Sequence, residues 1–193
     1  MMPRPRILIA DDEAIRLIAL RTQLTTLGME VVGEATTGRE AVALARETAP
    51  DLVVLDIKMP EMDGIEAARQ ISSAQSVPII LLTAYSDQAL IERAAAAGVF
   101  AYLVKPVAEE DLLPAILTAR TRFAEFQELR KEVATLSEAL EARKVIERAK
   151  GILMDRLRIS EAEAFRRMQI QSQRENKRLV EIARAIITAH PML

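Results

Sequence analysis

The chain has no cysteine and no tryptophan, and its single histidine, His190, lies close to the C-terminus. Without cysteine there is no disulfide framework, no thiol nucleophile and no thiolate metal site. One histidine excludes a multi-histidine metal centre within one chain and argues against a Ser-His-Asp triad. Glycine is scarce, at 6 of 193 residues. No glycine-rich turn follows the first apolar segment, so a P-loop and a dinucleotide fingerprint are both disfavoured. Long apolar runs are missing as well. Charge returns at Asp11, Asp12 and Glu13, and no later stretch reaches the length of a membrane span. Neither a signal peptide nor a spanning helix is expected, no membrane partner is expected, and the expected location is cytoplasmic.

The remaining composition is that of a folded domain: 50% hydrophobic, 28% charged and a net charge of -2. A chain of 193 residues holds one full domain and a smaller second one. The average charge hides a division. Residues 1–119 carry 10 Lys/Arg against 17 Asp/Glu, whereas residues 120–193 carry 16 against 11. An acidic first part followed by a basic tail suggests separate tasks. Three segments are expected: 1–119, a helical linker at 120–143, and a small helical domain at 144–193.

The first part alternates strand and helix patterns. Arg6 to Ala10 is a short apolar strand. Ala14 to Leu27 places Ile15, Ile18, Leu20, Leu24 and Leu27 near helical spacing, and Gly28 closes it. Strands follow at Val31–Ala35, Leu52–Asp56, Val77–Thr83 and Val99–Val104. Helices are expected at Gly38–Arg46, after Gly64, at the alanine-rich Gln88–Ala97, and after Pro106. The expected fold is α/β: a doubly wound, five-stranded parallel sheet followed by a long helix and a small all-α domain of three helical segments.

In such a sheet the chemistry sits beyond the carboxyl ends of the strands. Strand one ends at Asp11, Asp12 and Glu13, strand three at Asp56, strand four at Thr83 and strand five at Lys105. Three converging carboxylates repel one another, and a hard divalent cation is the usual remedy. Mg²⁺ fits, because it keeps several waters and accepts a phosphoryl oxygen. A carboxylate beside such an ion can attack a phosphoryl group and form an acyl phosphate. Thr83 and Lys105 would then meet the new phosphoryl oxygens.

These residues resemble a response-regulator receiver domain of two-component signalling. The matching pieces are Asp11-Asp12-Glu13, the segment Asp56-Ile57-Lys58-Met59-Pro60 followed by Asp63-Gly64, the pair Thr83-Ala84, and Lys105-Pro106. The resemblance implies strand order 2-1-3-4-5 and phosphorylation of Asp56 by a sensor histidine kinase. It implies Mg²⁺ held by Asp12 and Asp56, by Asp11 through water, and by the backbone carbonyl of Lys58. Thr83 and Tyr102 match the switch pair. Such a domain is a phosphoacceptor switch with slow self-dephosphorylation, not an enzyme acting on a separate substrate.

From Glu109 no strong breaker appears for a long stretch, and Pro114 falls near the start, where proline is tolerated. Phe126, Leu129, Val133, Leu136 and Leu140 are spaced 3, 4, 3, 4, which makes a short heptad seam. The seam either packs against the chain's own C-terminal helices or joins two protomers; a homodimer is the favoured reading, and its dependence on phosphorylation stays open. Helix continues to about Leu157, with Gly151 suggesting close approach by another helix or a ligand. Ser160 and Glu163 have capping-box spacing. The following helix is expected to bury Ala164, Phe165 and Met168, and a last helix to bury Leu179, Ile182, Ala183 and Ile186.

The tail resembles the ANTAR output domain, an RNA-binding module of transcription antitermination regulators. The resemblance rests on Ala149-Lys150-Gly151-Ile152-Leu153-Met154, on Ser160 with Glu161-Ala162-Glu163-Ala164, and on Asn176-Lys177-Arg178-Leu179 with Ile182, Ala183 and Ile186. It implies binding to hairpins in leader RNA and read-through of a terminator. The residues that would meet phosphates are Lys150, Arg167 and Lys177, followed by Arg148, Arg166, Arg174 and Arg178. The tail has no Trp or Tyr, so recognition would lean on Lys/Arg and helix shape. Two rival outputs stay open at this point: a DNA-binding helix-turn-helix, and a seam that captures a protein partner.

Overall fold

The structure, a computed structural model, describes residues 4–84, 93 and 97–189. The alanine-rich helix expected at Gln88–Ala97 falls almost wholly outside the described residues, as does His190. The order of elements is β1 (Arg6–Ala10), α1 (Ala14–Thr26), β2 (Glu30–Ala35), α2 (Gly38–Thr48), β3 (Leu52–Asp56), α3 (Gly64–Ala74), β4 (Ile79–Thr83), β5 (Ala101–Val104), α4 (Glu109–Leu157), α5 (Glu161–Glu175) and α6 (Leu179–Thr188). All strand pairs are parallel, and the sheet order is β2-β1-β3-β4-β5.

Alternation along the strands builds two cores. Leu8, Val53, Leu55, Ile79 and Leu81 face α2 and α3, where Ala41, Ala45, Ala68 and Ile71 are buried. Ile7, Ile9, Leu52, Val54, Ile80 and Leu82 face α1 and the first turns of α4, where Leu112 and Ile116 have no exposed surface. The central strands β3 and β4 are buried along their whole length, as strands covered on both faces must be. In α1 the buried positions are Leu17, Leu20 and Leu24, whereas Ile15 and Ile18 face solvent. The sequence expectation for Ile15 and Ile18 is therefore corrected: the core stripe runs through Leu17, one helical face away.

Two helix starts that aim the loops of this sheet are capped by their own side chains. Thr37 accepts from the Glu40 N–H at 3.1 Å, and the Glu40 carboxylate accepts from the Thr36 N–H at 2.8 Å. Asp63 accepts from the Glu66 N–H at 2.7 Å and so begins α3 just beyond the Asp56 loop.

The chain divides into two compact units, 1–127 and 128–193, with α4 contributing to both. In the first, the Phe100 ring meets Phe123 at 5.2 Å and Phe126 at 5.8 Å, both edge-on. Phe126 thus packs within the first unit as well as beginning the seam. Leu129, Val133, Leu136 and Leu140 are each more than half exposed. In the second unit Ala149, Met168 and Ala183 form a small core, with Val145, Ile146, Leu153, Leu179, Ile186 and Ile187 around it. Phe165 is not buried with them: it is 36% exposed. Gly151 has open space where a Cβ would sit, so the described residues provide no close neighbour to account for it. Ser160 supplies one half of the expected capping box, accepting from the Glu163 N–H at 3.3 Å.

Candidate functional site

Strand order decides what meets at the carboxyl edge. β1 and β3 are adjacent at the middle of the sheet, so Asp11 and Asp12, just past β1, lie beside Asp56 at the end of β3. One carboxylate oxygen from each of the three lies within 4.8 Å of the others. Asp11 and Asp56 are buried, at 1% and 4% exposure, while Asp12 faces solvent.

Lys105, at the end of β5, reaches across β4 into this cluster. Its Nζ lies 2.6 Å from Asp11 Oδ2 and 2.8 Å from Asp56 Oδ2. The Lys105 N–H donates to the Thr83 carbonyl at 2.7 Å, which ties the two strand ends together. The Lys105–Pro106 peptide is cis. Asp11 is further fixed by the Glu13 N–H at 3.0 Å and by Arg16 at 3.5 Å. Arg16 also pairs with Glu13 at 2.6 Å.

Burial pushes the Asp56 carboxyl above the usual aspartate range, and the neighbouring Asp11 charge pushes in the same direction. The Lys105 hydrogen bond and charge, and the Lys58 backbone N–H, oppose the rise. A buried acid held ionised chiefly by one lysine needs more positive charge. That donor set is all oxygen, three carboxylates wide and open on the Asp12 side, which suits a hard, partly hydrated cation such as Mg²⁺. The cluster of Asp11, Asp12 and Asp56 could hold such an ion.

Lys58 follows Asp56 by two positions in the β3–α3 loop. That loop is tightly constrained: a Cβ at Gly64 would overlap the Asp56 carbonyl oxygen, and the Gly64 N–H donates to the Ile57 carbonyl at 2.8 Å. Thr83 is buried at the end of β4, and Tyr102 on β5 is 48% exposed.

The candidate basic residues of the second unit are spread over two helices and a turn. Arg148 and Lys150 lie on α4, Arg166, Arg167 and Arg174 on α5, and Lys177 and Arg178 in the turn before α6. Lys150 is buried at 7% exposure, with Nζ 2.8 Å from Glu147 and 2.6 Å from Glu161. It also lies 5.8 Å from the centre of the Phe165 ring. Arg167 pairs with Glu163 at 2.9 Å and Lys177 with Glu175 at 2.7 Å. These two pairs are on exposed surface, where a carboxylate partner is readily exchanged for another anion. Arg148, Arg166, Arg174 and Arg178 are exposed. Sequence reasoning missed Glu161 as the partner of Lys150, although its place in the first turn after Ser160 was visible. It also missed Arg16, whose signal was its spacing of five from Asp11.

Comparison with known proteins agrees with both halves. The response regulator receiver domain family matches residues 7–117, and the ANTAR domain family matches residues 134–187. The transcriptional regulatory protein PdtaR of Mycobacterium tuberculosis is 47% identical over 186 residues, covering 96% of this chain and 90% of the relative. The chemotaxis protein CheY of Thermotoga maritima is 44% identical over 102 residues, covering 52% of this chain and 85% of that protein. Among solved structures, the receiver domain of a modulated diguanylate cyclase from Desulfovibrio desulfuricans superposes with a TM-score of 0.59 at 34% identity. It covers 63% of this chain and 98% of that one. With both family matches in place and one relative aligned along nearly its full length, the chain belongs to the response regulators that join an N-terminal receiver domain to a C-terminal ANTAR domain.

Proposed function

We propose that Asp56 accepts the phosphoryl group, that Thr83 and Lys105 read its arrival, and that the seam on α4 carries the signal to the output unit by joining two protomers. The protein is a phosphorylation-controlled response regulator whose output is RNA-hairpin binding and transcription antitermination. The observation that carries this reading is the convergence of Asp11, Asp12, Asp56 and Lys105 on one sheet edge, in a chain that ends in an ANTAR domain.

In the transfer, an Asp56 carboxylate oxygen attacks the phosphorus of a phosphohistidine on the sensor kinase. The P–N bond breaks, a P–O bond forms, and the imidazole leaves. Asp12, Asp56 and the Lys58 carbonyl, with Asp11 through water, would hold Mg²⁺, which would supply charge for the phosphoryl oxygens. Lys105 keeps Asp56 ionised and nucleophilic before transfer. Afterwards its ammonium turns to a phosphoryl oxygen, and the Thr83 hydroxyl donates to another. Tyr102, now exposed, follows Thr83 inward and alters the surface of β5 and the adjoining helix. Water attack on phosphorus later restores the carboxylate and releases inorganic phosphate.

The seam supports a homodimer because Leu129, Val133, Leu136 and Leu140 keep coiled-coil spacing while staying more than half exposed. Exposed cations, Arg148, Arg166, Arg167, Arg174, Lys177 and Arg178, meet RNA phosphates. Lys150 braces α4 to α5 between its two glutamates.

The test is binding of the full chain to an RNA of two tandem stem-loops and to duplex DNA of equal length, across a salt titration. Stem-loop selectivity with a steep salt dependence is expected. Equal affinity for both, or preference for the duplex DNA, overturns the RNA output.

A further inference from the structure

In the second unit, an open groove of about 440 Å³ runs between α4 and α6. It is lined by the part-buried apolar Val145 and Ile187, by the exposed cations Lys144, Arg148 and Arg184, and by Thr188 and Glu141. Only Arg148 among these cations is visible as a candidate in the sequence. Lys144 and Arg184 lie forty positions apart, and the packing of α6 on α4 brings them to one groove.

We infer that this groove receives an unpaired nucleotide from an RNA loop. The chemistry on each wall fits that ligand. Three cations around one opening suit the phosphates on either side of a nucleotide. Val145 and Ile187 offer an apolar surface for the face of an unstacked base, in a unit without Trp or Tyr to stack on it. The Thr188 hydroxyl can both donate and accept, as a ribose 2′-OH or a base edge requires. The volume lies within the range of sites that hold small ring systems. Lys144 already pairs with Glu141 at 2.7 Å, but both side chains are exposed, so a phosphate can take the place of the carboxylate. By contrast Lys150, the cation that stands out in the sequence, is turned into the unit and held by two glutamates.

The inference rests on the RNA output proposed above, and the experiment separates the two. Full-length protein is titrated against an end-labelled RNA of two tandem stem-loops. The variants are Lys144→Gln and Arg184→Gln, both at exposed positions outside the core, and Arg167→Gln, which removes one charge outside the groove. Each loop nucleotide is also replaced in turn by an abasic residue. Each groove variant is expected to weaken binding roughly tenfold, and Arg167→Gln about twofold. One abasic position is expected to cost the wild type as much as Arg184→Gln does, and to cost the Arg184→Gln variant nothing further. Groove variants that bind as well as Arg167→Gln, or abasic losses that add fully to those of Arg184→Gln, overturn the groove and leave the RNA output standing. No binding by the wild type overturns both. A polyglutamate peptide that binds the wild type more tightly than the RNA does, and is lost in the same two variants, overturns the inference by making the groove a protein-docking site.

Discussion

The Lys150 ammonium donates to the Glu161 carboxylate across 2.6 Å, joining the late part of α4 to the first turn of α5. Glu147, one turn back on α4, completes the pairing at 2.8 Å. A lysine held this way supports the unit more than it reaches outward.

Replacing Lys150 with Met keeps the stem and removes the charge, and leaves Glu147 and Glu161 repelling. The melting midpoint of the output unit is expected to fall, and Glu161→Gln is expected to lower it as well. Thermal denaturation followed by circular dichroism reads both. The two glutamate hydrogen bonds hold Lys150 above the ordinary lysine value of 10.5. Its contribution is therefore complete below that value and is lost as pH rises through the raised one. Unchanged melting in Lys150→Met, with weakened RNA binding, would show that the lysine is a direct RNA contact.

Gly64 is expected to tolerate no side chain. A Cβ there would overlap the Asp56 carbonyl oxygen, which belongs to the rigid end of β3 and cannot move aside as a flexible side chain could. Gly64→Ala is expected to cost about 1–3 kcal/mol of receiver stability and to slow phosphoryl acceptance by displacing Asp56. Urea denaturation and phosphorylation by a small acyl phosphate donor measure the two effects separately. Wild-type values for both would contradict the described packing.

Mg²⁺ is expected to stabilise the receiver unit by about 1.4 kcal/mol when present at ten times its dissociation constant. The Asp56 carboxyl is raised above the ordinary 3.8 by burial and by Asp11. It therefore takes up a proton, and gives up the cation, at a higher pH than an ordinary aspartate does. Its own ionisation costs stability as pH rises past 3.8 towards the raised value, and Mg²⁺ offsets that cost. The increase in melting midpoint caused by Mg²⁺ should shrink on acidification while the pH is still above 3.8, and Asp56→Asn should remove most of it at neutral pH. A Mg²⁺ effect independent of pH, or undiminished in Asp56→Asn, argues against the site.

Arg158 ends α4 with φ +53°, in the left-handed region. An L side chain there is strained by about 1–2 kcal/mol, whereas glycine is not. Part of that gain is returned by the greater freedom of glycine in the unfolded chain. Arg158→Gly is expected to stabilise the output unit by about 0.5–1 kcal/mol. A loss of stability would mean that the Arg158 side chain makes a contact worth more than the strain.

The receiver was legible because its signals are local and redundant. Four of the five strands lead directly into a site residue, and the short, β-branched apolar runs of Leu52–Leu55 and Ile79–Leu82 suit strands covered on both sides. The α1 face was misread because Ile15 and Ile18 are as apolar as Leu17, and only the sheet decides which of them it covers. Lys150 stood out because it interrupts an apolar stretch. Its two partners lie on different helices, so its burial could not be read from its neighbours. Lys144 and Arg184 were invisible for the same reason: no local pattern joins positions brought together by helix packing.

The most direct measurement is the affinity of the full chain for the tandem stem-loop RNA, with and without a phosphoryl donor and Mg²⁺, in wild type and in Asp56→Asn. Wild type should bind more tightly once phosphorylated, and Asp56→Asn should show no response to the donor. Equal affinity in all four conditions, with phosphorylation of the wild type verified, would contradict the coupling of Asp56 to the RNA output.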